Sequence, residues 1–321
     1  MMLNRSEAIS KINLLAKAAT PFVFFTDFLG NQVWIEEAKN ISSKELKFDF
    51  SKEKTTPNPS PSFRFSKGPI KFNHFKKAFD FVVEEINFGN SFLVNLTFET
   101  PIETSLSLDE VYDRSKAKYK LKYKDQFVVF SPETFVKIED GFIYSYPMKG
   151  TIDATETDAQ EKLLSDPKEV AEHVTITDLI RNDLSQIAEK VEVTKFRFVS
   201  EVKTHEKTLL QVSSEIKGKL PHDYLSNLGT LFFQLLPAGS ISGAPKAKTI
   251  EIIKEAESYD RGFYTGVCGH FDGKNLDSGV MIRFIEKTQN QLFYKSGGGI
   301  TSFSKAQKEY QEYIDKVYIP I

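Results

Sequence analysis

Apolar residues recur at two different spacings along the chain, and these spacings predict its elements. Two apolar runs flank Gly30–Asn31 and predict a hairpin over residues 21–35. Over residues 72–86, phenylalanine, valine and isoleucine fall at helical intervals, and Gly89 is well placed to end that helix. Alternation over residues 142–146 predicts a strand that Pro147 interrupts and that ends at Lys149.

Helix-capping residues predict where further helices begin. Ser107 and Glu110 form a capping box that opens a helix over residues 107–123, and Asp166 and Pro167 make a strong start for the next helix. Further strands are predicted over 91–100, 127–130, 191–198, 208–217, 262–271, 279–286 and 291–296, and further helices from 224 and over 246–257 and 305–318. Strands and helices come in clusters and do not alternate strictly, which favours an α+β fold with large antiparallel sheets.

One stretch predicts a boundary in the chain. Residues 55–69 include four prolines and several serines, a composition typical of a surface loop or linker. We therefore expect a short N-terminal part, residues 1–69, that belongs to the same fold as the main region, residues 70–321. At 321 residues the chain is long enough to bury a sizeable core.

Composition and charge remove several classes of function. The 42 lysines and arginines nearly balance the 44 aspartates and glutamates, which does not favour binding to nucleic acid or to a membrane surface. No apolar run approaches the roughly 20 residues of a membrane span, and residues 1–19 lack the apolar core of a signal peptide, so we expect a cytoplasmic protein. The single cysteine, Cys268, excludes an internal disulfide and a thiolate metal cluster.

Two pairs of glutamates are candidate ligands of a hard cation. Glu169 and Glu172 lie three residues apart on a predicted helix, on a side that continues into apolar residues, so both should face the protein. Glu309 and Glu312 repeat this spacing on the last predicted helix. Four inward carboxylates would suit Mg²⁺, which takes oxygen ligands. The other interpretation is a helix cap for Glu169 and solvated faces for the rest, and the sequence does not show that the two helices meet.

Lys149 is a candidate nucleophile, although an isolated Lys–Gly pair is more often a surface turn. With its stem among apolar neighbours, its amine should lose a proton more readily than that of an exposed lysine. Residues 239–246 place a flexible loop before a helix, an arrangement that binds anions, with Lys246 close by. Gly297–Gly299 would let a ligand approach the backbone, and Arg283 could bind a carboxylate.

Nine short motifs occur in an order that resembles the chorismate-utilising enzymes. They are Ser131–Glu133, Pro147–Thr151, Ala171–His173, Asp178–Asp183, Gly239–Lys246, Tyr264–Gly266, Ile282–Arg283, Gly297–Ile300 and Glu309–Glu312. The family includes anthranilate synthase component I, aminodeoxychorismate synthase component I, and isochorismate and salicylate synthases. The resemblance covers residues 72–317 and implies a single large α+β domain of two packed antiparallel sheets flanked by helices, with Mg²⁺-bound chorismate between the sheets.

The resemblance implies a role for each matching residue. The family's metal-site glutamates are matched by Glu169, Glu172, Glu309 and Glu312. Positions that grip the enolpyruvyl group are matched by Tyr264, Arg283, Gly297, Gly298 and Gly299, and positions that line the ring end are matched by Gly150, Thr151 and Ser242, where Ser242 replaces a more usual threonine. Glu133 matches the acid that protonates the departing 4-hydroxyl of chorismate.

Lys149 is where members of the family differ. Aminodeoxychorismate synthases typically have lysine here, whereas anthranilate synthases have alanine. The implied reaction is attack of Lys149 on ring carbon 2 followed by addition of ammonia at carbon 4, which gives 4-amino-4-deoxychorismate, the precursor of 4-aminobenzoate and folate. Cys268 lacks the setting of a glutaminase nucleophile, so we expect a separate glutamine amidotransferase subunit as partner.

Other interpretations stay open from the sequence. Anthranilate synthase component I and isochorismate synthase are the nearest alternatives, and a non-catalytic chorismate-binding subunit is a more remote one. The chain departs from the family at Gln211, where relatives often have histidine, and in its short N-terminal part.

Overall fold

The computed structural model describes residues 1–50, 62–203 and 208–321, apart from the side chains of Thr151, Lys168, Val202, Lys203 and Leu209. The described strands are β1 Met2–Leu3, β2 Phe22–Thr26, β3 Val33–Glu37, β4 Leu46–Asp49, β5 Phe65–Lys67, β6 Leu93–Thr104, β7 Tyr119–Tyr123, β8 Phe127–Ser131, β9 Thr134–Glu139, β10 Phe142–Ser145, β11 Met148–Asp153, β12 Glu189–Lys203, β13 Thr208–Lys219, β14 Gly243–Ala244, β15 Val267–Phe271, β16 Leu276–Val280, β17 Phe284–Thr288 and β18 Gln291–Ile300. The described α-helices are α1 Arg5–Lys17, α2 Phe72–Asn87, α3 Leu108–Arg114, α4 Ala159–Ser165, α5 Pro167–Ser185, α6 Leu228–Gln234, α7 Lys246–Ala256 and α8 Ala306–Asp315. Short 3₁₀ turns lie at Ala38–Asn40, Tyr224–Asn227 and Gly239–Ile241.

The described strands form two antiparallel sheets flanked by helices. The first sheet has the order β1-β3-β2-β15-β16-β9-β10-β13-β11, with β12 paired to β13. The second has the order β14-β6-β18-β17-β8-β7-β4, with β5 paired to β6. The predicted α+β fold with two large antiparallel sheets is therefore confirmed.

Aromatic side chains join the two sheets face to face. Phe25 of the first sheet packs its ring 4.9 Å from that of Tyr123 and 5.4 Å from that of Phe127, both of the second sheet. All three are buried, and burying a phenylalanine contributes about 1.5–3 kcal/mol to stability. A larger apolar cluster adds the inner faces of the helices, for example Phe79 of α2 and Leu184 of α5. The core thus fixes the helices that carry candidate site residues against both sheets.

Most predicted elements are present. The hairpin β2–β3, the helix α2 and the Ser107–Glu110 capping box at α3 are confirmed. Helix α5 begins at Pro167, and the Glu169 amide donates a hydrogen bond to Asp166 Oδ1 (3.2 Å), as the predicted helix start requires. Of the predicted loop over residues 55–69, residues 55–61 lie outside the described part of the chain. Strands β1, β2 and β3 join the first sheet and β4 the second, and the division at residue 69 stays a prediction.

Two predicted elements are wrong for physical reasons. The helix predicted to reach Tyr123 ends at Arg114, and Tyr119–Tyr123 is the strand β7. Tyr119, Leu121 and Tyr123 are buried at a spacing of two, which suits a strand between β4 and β8 and not a helix. The strand predicted over 279–286 is broken, because residues 281–283 carry the chain from β16 in the first sheet to β17 in the second.

Candidate active site

A cavity of about 650 Å³ lies where both sheets meet helices α5 and α8. This size is typical of pockets that enclose a small organic molecule. Twelve of the predicted site residues line it: Glu133, Lys149, Gly150, Glu169, Glu172, Tyr264, Arg283, Gly297, Gly298, Gly299, Glu309 and Glu312. These residues come from segments that are far apart in the chain, so the fold itself brings them together.

Lys149 reaches the cavity from an irregular strand. The pairing of β11 with β13 shifts register between Met148 and Thr151, and Gly150 within this bulge has φ +89°, a conformation that favours glycine. A bulge turns a side chain away from the direction that regular pairing would give it. The strand continues to Asp153 and does not end at Lys149 as predicted. The Lys149 Nζ atom lies 2.9 Å from Glu172 Oε2.

The predicted loss of the Lys149 proton is wrong for the protein as it stands. Burial lowers the pKa of Lys149, but the carboxylates of Glu172, Glu312 and Glu169 oppose it and leave the pKa above that of an ordinary lysine. The apolar stem that the sequence suggested is outweighed by acidic neighbours that only the fold assembles. The acidic neighbours of Lys149 thus favour the charged form of its amine.

Glu133 has the opposite electrostatic setting. Burial raises its pKa, and this effect exceeds the opposing ones of the Ser240 hydrogen bond and of the positive charges on Arg283, Lys316 and Lys149. The Ser240 hydroxyl donates to Glu133 Oε1 at 2.6 Å. A carboxyl group with a raised pKa holds its proton to higher pH than an exposed one, which suits a general acid.

The four glutamates of the two predicted pairs line this one cavity. Glu169 and Glu172 come from α5, and Glu309 and Glu312 come from α8. Glu172 and Glu309 are 8% and 7% exposed, so the interpretation as solvated faces is wrong for these two. A Cβ atom on Gly298 would lie 3.5 Å from Glu312 Oε1 and 3.7 Å from Glu309 Oε2, so the glycine backbone leaves room for this pair.

The residues present fit Mg²⁺ by the chemistry of their donors. All four are carboxylates, the oxygen ligands that this ion prefers. Among the described residues no three carboxylate, histidine or cysteine side chains are close enough together to hold one ion. Mg²⁺ is usually bound by one or two protein carboxylates, with waters and a substrate completing its shell.

Lys316 was missed by the sequence reasoning. Its Nζ atom lies 2.6 Å from Glu312 Oε1 and donates to the Gly297 carbonyl at 2.8 Å, and the residue lines the cavity. Burial lowers its pKa despite the opposing charge of Glu312. The available signal was its position four residues after Glu312, on the same face of α8.

Arg283 and Tyr264 lie where the chain crosses between the sheets. Arg283 has φ +54°, outside regular strand geometry, and its guanidinium carbon lies 5.5 Å from the centre of the Tyr318 ring. Tyr264 is buried, and burial raises its pKa far above the usual value, so the phenol is neutral. The break in the predicted strand is thus what turns Arg283 into the cavity.

The loop over residues 239–246 contributes a different serine from the predicted one. Ser242 is fully buried, does not line the cavity, and donates its hydroxyl to the Ala238 carbonyl at 2.9 Å. Ser240 lines the cavity instead. Lys246 is also outside the lining, because its Nζ atom pairs with Asp183 Oδ2 at 2.9 Å and with the Leu235 carbonyl at 2.8 Å. The side chain of Thr151 lies outside the described part of the chain.

Gly297 should tolerate no side chain. A Cβ atom at this position of β18 would lie 2.2 Å from the Leu96 carbonyl oxygen and 2.7 Å from Thr97 Cα on β6. We expect Gly297→Ala to lower the free energy of unfolding by about 3 kcal/mol, the upper range for forcing atoms into a packed site. Gly298→Ala is the matched control, because its Cβ would meet nothing closer than 3.5 Å. Thermal unfolding should separate the two variants, and equal stabilities would contradict this reading of the strand pair.

The chain is similar in sequence to several known proteins. The chain is 48% identical over 315 residues to an uncharacterized PabA-like protein of Haemophilus influenzae, covering 98% of this chain and 96% of that protein. It is 30% identical over 302 residues to aminodeoxychorismate synthase component 1 of Bacillus subtilis, covering 89% of this chain and 60% of that protein. The short length is therefore shared with the Haemophilus protein and not with the Bacillus one.

Solved structures with a similar fold include two enzymes that are named as synthases. Anthranilate synthase component I from Streptococcus pneumoniae has a TM-score of 0.66 and 29% identity, covering 81% of this chain and 61% of that one. MenF, the menaquinone-specific isochorismate synthase of Escherichia coli, has a TM-score of 0.72 over 98% of this chain and 82% of its own, but at 16% identity it supports the fold alone. The family described as chorismate binding enzyme matches residues 15–321. This chain belongs to the chorismate binding enzyme family.

Proposed function

We propose that this chain is component I of an aminodeoxychorismate synthase, which converts chorismate and ammonia to 4-amino-4-deoxychorismate for the synthesis of 4-aminobenzoate and folate. The observation that carries the proposal is Lys149, an amine in the same cavity as the carboxyl group of Glu133, whose pKa is raised by burial. The similarity to the Bacillus subtilis aminodeoxychorismate synthase component 1 supports it. Lysine is the residue type at this position that separates aminodeoxychorismate from anthranilate synthesis in the resemblance described above.

Chorismate is a dianion, and the cavity offers it several positive groups. Arg283 can bind one carboxylate with two parallel hydrogen bonds, and Lys316, which donates to the Gly297 carbonyl, also lines the cavity. The Gly297–Gly299 backbone carries no side chain and so allows the enolpyruvyl group to approach closely. These contacts would orient ring carbon 2 towards Lys149 and the 4-hydroxyl towards Glu133.

The first chemical step joins Lys149 to the ring. Its nitrogen must first transfer a proton to Glu172 Oε2, because only the neutral amine is nucleophilic. A bond then forms between Nζ and carbon 2, the two ring double bonds shift to C1–C6 and C4–C5, and the C4–O bond breaks. Glu133 gives its proton to the departing hydroxide, so that water leaves.

The second step replaces the lysine. Ammonia bonds to carbon 4, the double bonds return to C1–C2 and C5–C6, and the bond between carbon 2 and Lys149 breaks. The lysine departs as a free amine. The Glu133 carboxylate takes a proton from the newly added nitrogen and becomes an acid again. Chorismate and ammonia have then given 4-amino-4-deoxychorismate and water, and the enzyme is ready for another cycle.

We expect the four glutamates to hold Mg²⁺ directly or through water molecules, and the bound ion would supply positive charge to a substrate carboxylate. We expect EDTA to reduce turnover to background and added Mg²⁺ to restore it. Glu309→Gln should raise the Mg²⁺ concentration needed for half-maximal activity by about 10-fold or more, because the site loses one charged oxygen ligand. Glu251→Gln, at an exposed position of α7, is the control. Full turnover in EDTA would refute the metal requirement.

Ammonia has to come from solution or from a separate glutamine amidotransferase. The single thiol of the chain, Cys268, is fully buried in β15, and burial raises its pKa to about 12, which leaves it unreactive. We expect the purified chain to turn over with ammonium and to show at most a few per cent of that rate with glutamine. Liquid chromatography of the products measures both. Turnover with glutamine at the ammonium rate, without an added subunit, would contradict the need for a partner.

Product identity tests the proposed function directly. The purified chain is incubated with chorismate, Mg²⁺ and ammonium, and the products are identified by mass spectrometry. A 4-amino product supports the proposal. Formation of 2-aminobenzoate would identify an anthranilate synthase, a hydroxylated isomer an isochorismate synthase, and unchanged chorismate a binding subunit without activity.

A further inference from the structure

His173 lies directly beneath the candidate nucleophile and has no place in the steps above. It follows Glu172 on α5, and successive residues of an α-helix point about 100° apart. Glu172 therefore reaches the cavity, where it meets the Lys149 amine at 2.9 Å, while His173 is fully buried and does not line the cavity. Of these two consecutive helix residues, Glu172 thus contacts the Lys149 amine and His173 lies outside the cavity lining.

Hydrogen bonds tie the His173 ring to the sheet that carries Lys149. His173 Nε2 and the Ser214 hydroxyl oxygen are 2.7 Å apart. The same oxygen accepts the Arg197 amide at 3.0 Å, and the Ser214 amide donates to the Pro147 carbonyl at 3.0 Å. Helix α5 is therefore connected through one serine to β12 and to the residue that precedes Met148 and Lys149.

The other side of the ring faces the Lys149 backbone. The backbone of Lys149 lies close to the ring. His173 Nδ1 makes no hydrogen bond of ordinary geometry to the described residues. The Phe196 ring packs against the imidazole at 6.0 Å and helps to fix its plane. The imidazole thus joins α5, through Ser214, to the segment that leads into the Lys149–Gly150 bulge.

We propose that His173 is a positioning residue that holds the Lys149–Gly150 bulge against α5 and so fixes where the Lys149 amine stands. The inference rests on the proposed function, since it assumes that Lys149 forms a bond to the substrate. The bulge contains a glycine in the left-handed region and departs from regular strand pairing, so its position depends on what packs behind it. A displacement of about 1 Å at a reacting group can cost on the order of 100-fold in rate.

Three variants test this role. His173→Leu preserves the bulk of the side chain but removes both ring nitrogens. Ser214→Ala removes the hydroxyl that is the partner of Nε2. His173→Gln can place an amide where Nε2 stands and should restore the bond to Ser214. Thr177→Val is the matched control, because Thr177 lies one turn further along α5, is buried, and its hydroxyl makes no hydrogen bond of ordinary geometry to the described residues. Circular dichroism and thermal unfolding establish that each variant is folded.

The readouts separate positioning from stability. With wild type, we measure the rate at which Lys149 gains the mass of the dehydrated chorismate adduct when ammonium is withheld, and steady-state kcat and KM with ammonium. His173→Leu and Ser214→Ala should each slow adduct formation and kcat by about 10- to 100-fold with KM for chorismate changed less than about 3-fold, and the double variant should be no slower than the slower single one. In His173→Gln both the rate of adduct formation and kcat should recover to within about 5-fold of wild type. Thr177→Val should have the same rates as wild type.

Different results would contradict the proposed function and the positioning role of His173. If wild type forms neither a Lys149 adduct nor a 4-amino product, the proposed function is wrong. If wild type does both and folded His173→Leu retains its rates, or if only KM changes, the role of His173 is wrong while the function stands. A slow His173→Leu that His173→Gln fails to rescue would also overturn the role, because the bond to Ser214 would then not be what positions Lys149.

Discussion

Replacing Lys149 with alanine should lower formation of the 4-amino product by at least about 10³-fold, the scale of losing a covalent nucleophile. The Nζ atom is the group in the cavity assigned to attack carbon 2, and without it the C4–O bond would have to break without prior bond formation. The measurement is kcat with saturating chorismate, Mg²⁺ and ammonium. Turnover unchanged in this variant would remove Lys149 from the mechanism and favour another chorismate chemistry.

Controls must separate the loss of the nucleophile from the loss of a charge. The ammonium of Lys149 pairs with Glu172 at 2.9 Å, so its removal also changes the electrostatics of α5. Lys149→Arg retains a positive charge but carries a guanidinium that keeps its proton, and we expect it to be as inactive as the alanine variant. Lys254→Ala, at an exposed position of α7, should match wild type. An active arginine variant would indicate that Lys149 acts by charge and not by bond formation.

The fold could be predicted from local patterns, because most elements have a clear period and clear ends. The hairpin β2–β3, α2 and the start of α5 follow from turn residues, helical spacing and capping, which act within a few residues. The failures lie where tertiary structure decides. Residues 281–283 alternate like their neighbours, but the chain crosses there between two sheets, and only packing sets that crossing point.

The site was predictable in its residue types but not in its electrostatics. The spacing of Glu169 and Glu172 indicated an inward face on one helix, but not that Glu312 from α8 would also act on Lys149. The raised pKa of Lys149 therefore reflects first Glu172, which is near it in sequence, and then the charge of Glu312, which lies more than 130 residues away and which no local pattern reveals. That Ser240 and not the predicted Ser242 lines the cavity could not be predicted either, because the turn at Gly239–Ile241 decides which hydroxyl faces Glu133.

Glu133→Gln should reduce kcat by about 10²- to 10⁴-fold, the usual contribution of a general acid. Glutamine preserves the shape of the side chain and can still accept the hydrogen bond from Ser240, but it has no proton to give to the departing hydroxide. KM should change little, since substrate carboxylates are assigned to other residues. Glu139→Gln, an exposed position on the adjoining strand β9, is the matched control and should leave kcat unchanged.

The raised pKa of Glu133 also predicts how kcat and thermal stability change with pH. Burial raises the pKa of Glu133 above that of an exposed glutamate, so the acid form persists to higher pH, and wild-type kcat should fall as pH rises through that raised value. Glu133→Gln should lack this falling limb. The folded state favours the protonated carboxyl, so its contribution to stability is complete below the unfolded pKa and is lost as pH rises through the folded one. Wild type should therefore lose thermal stability relative to Glu133→Gln as pH rises, and a variant that keeps the falling limb would assign the acid to another residue.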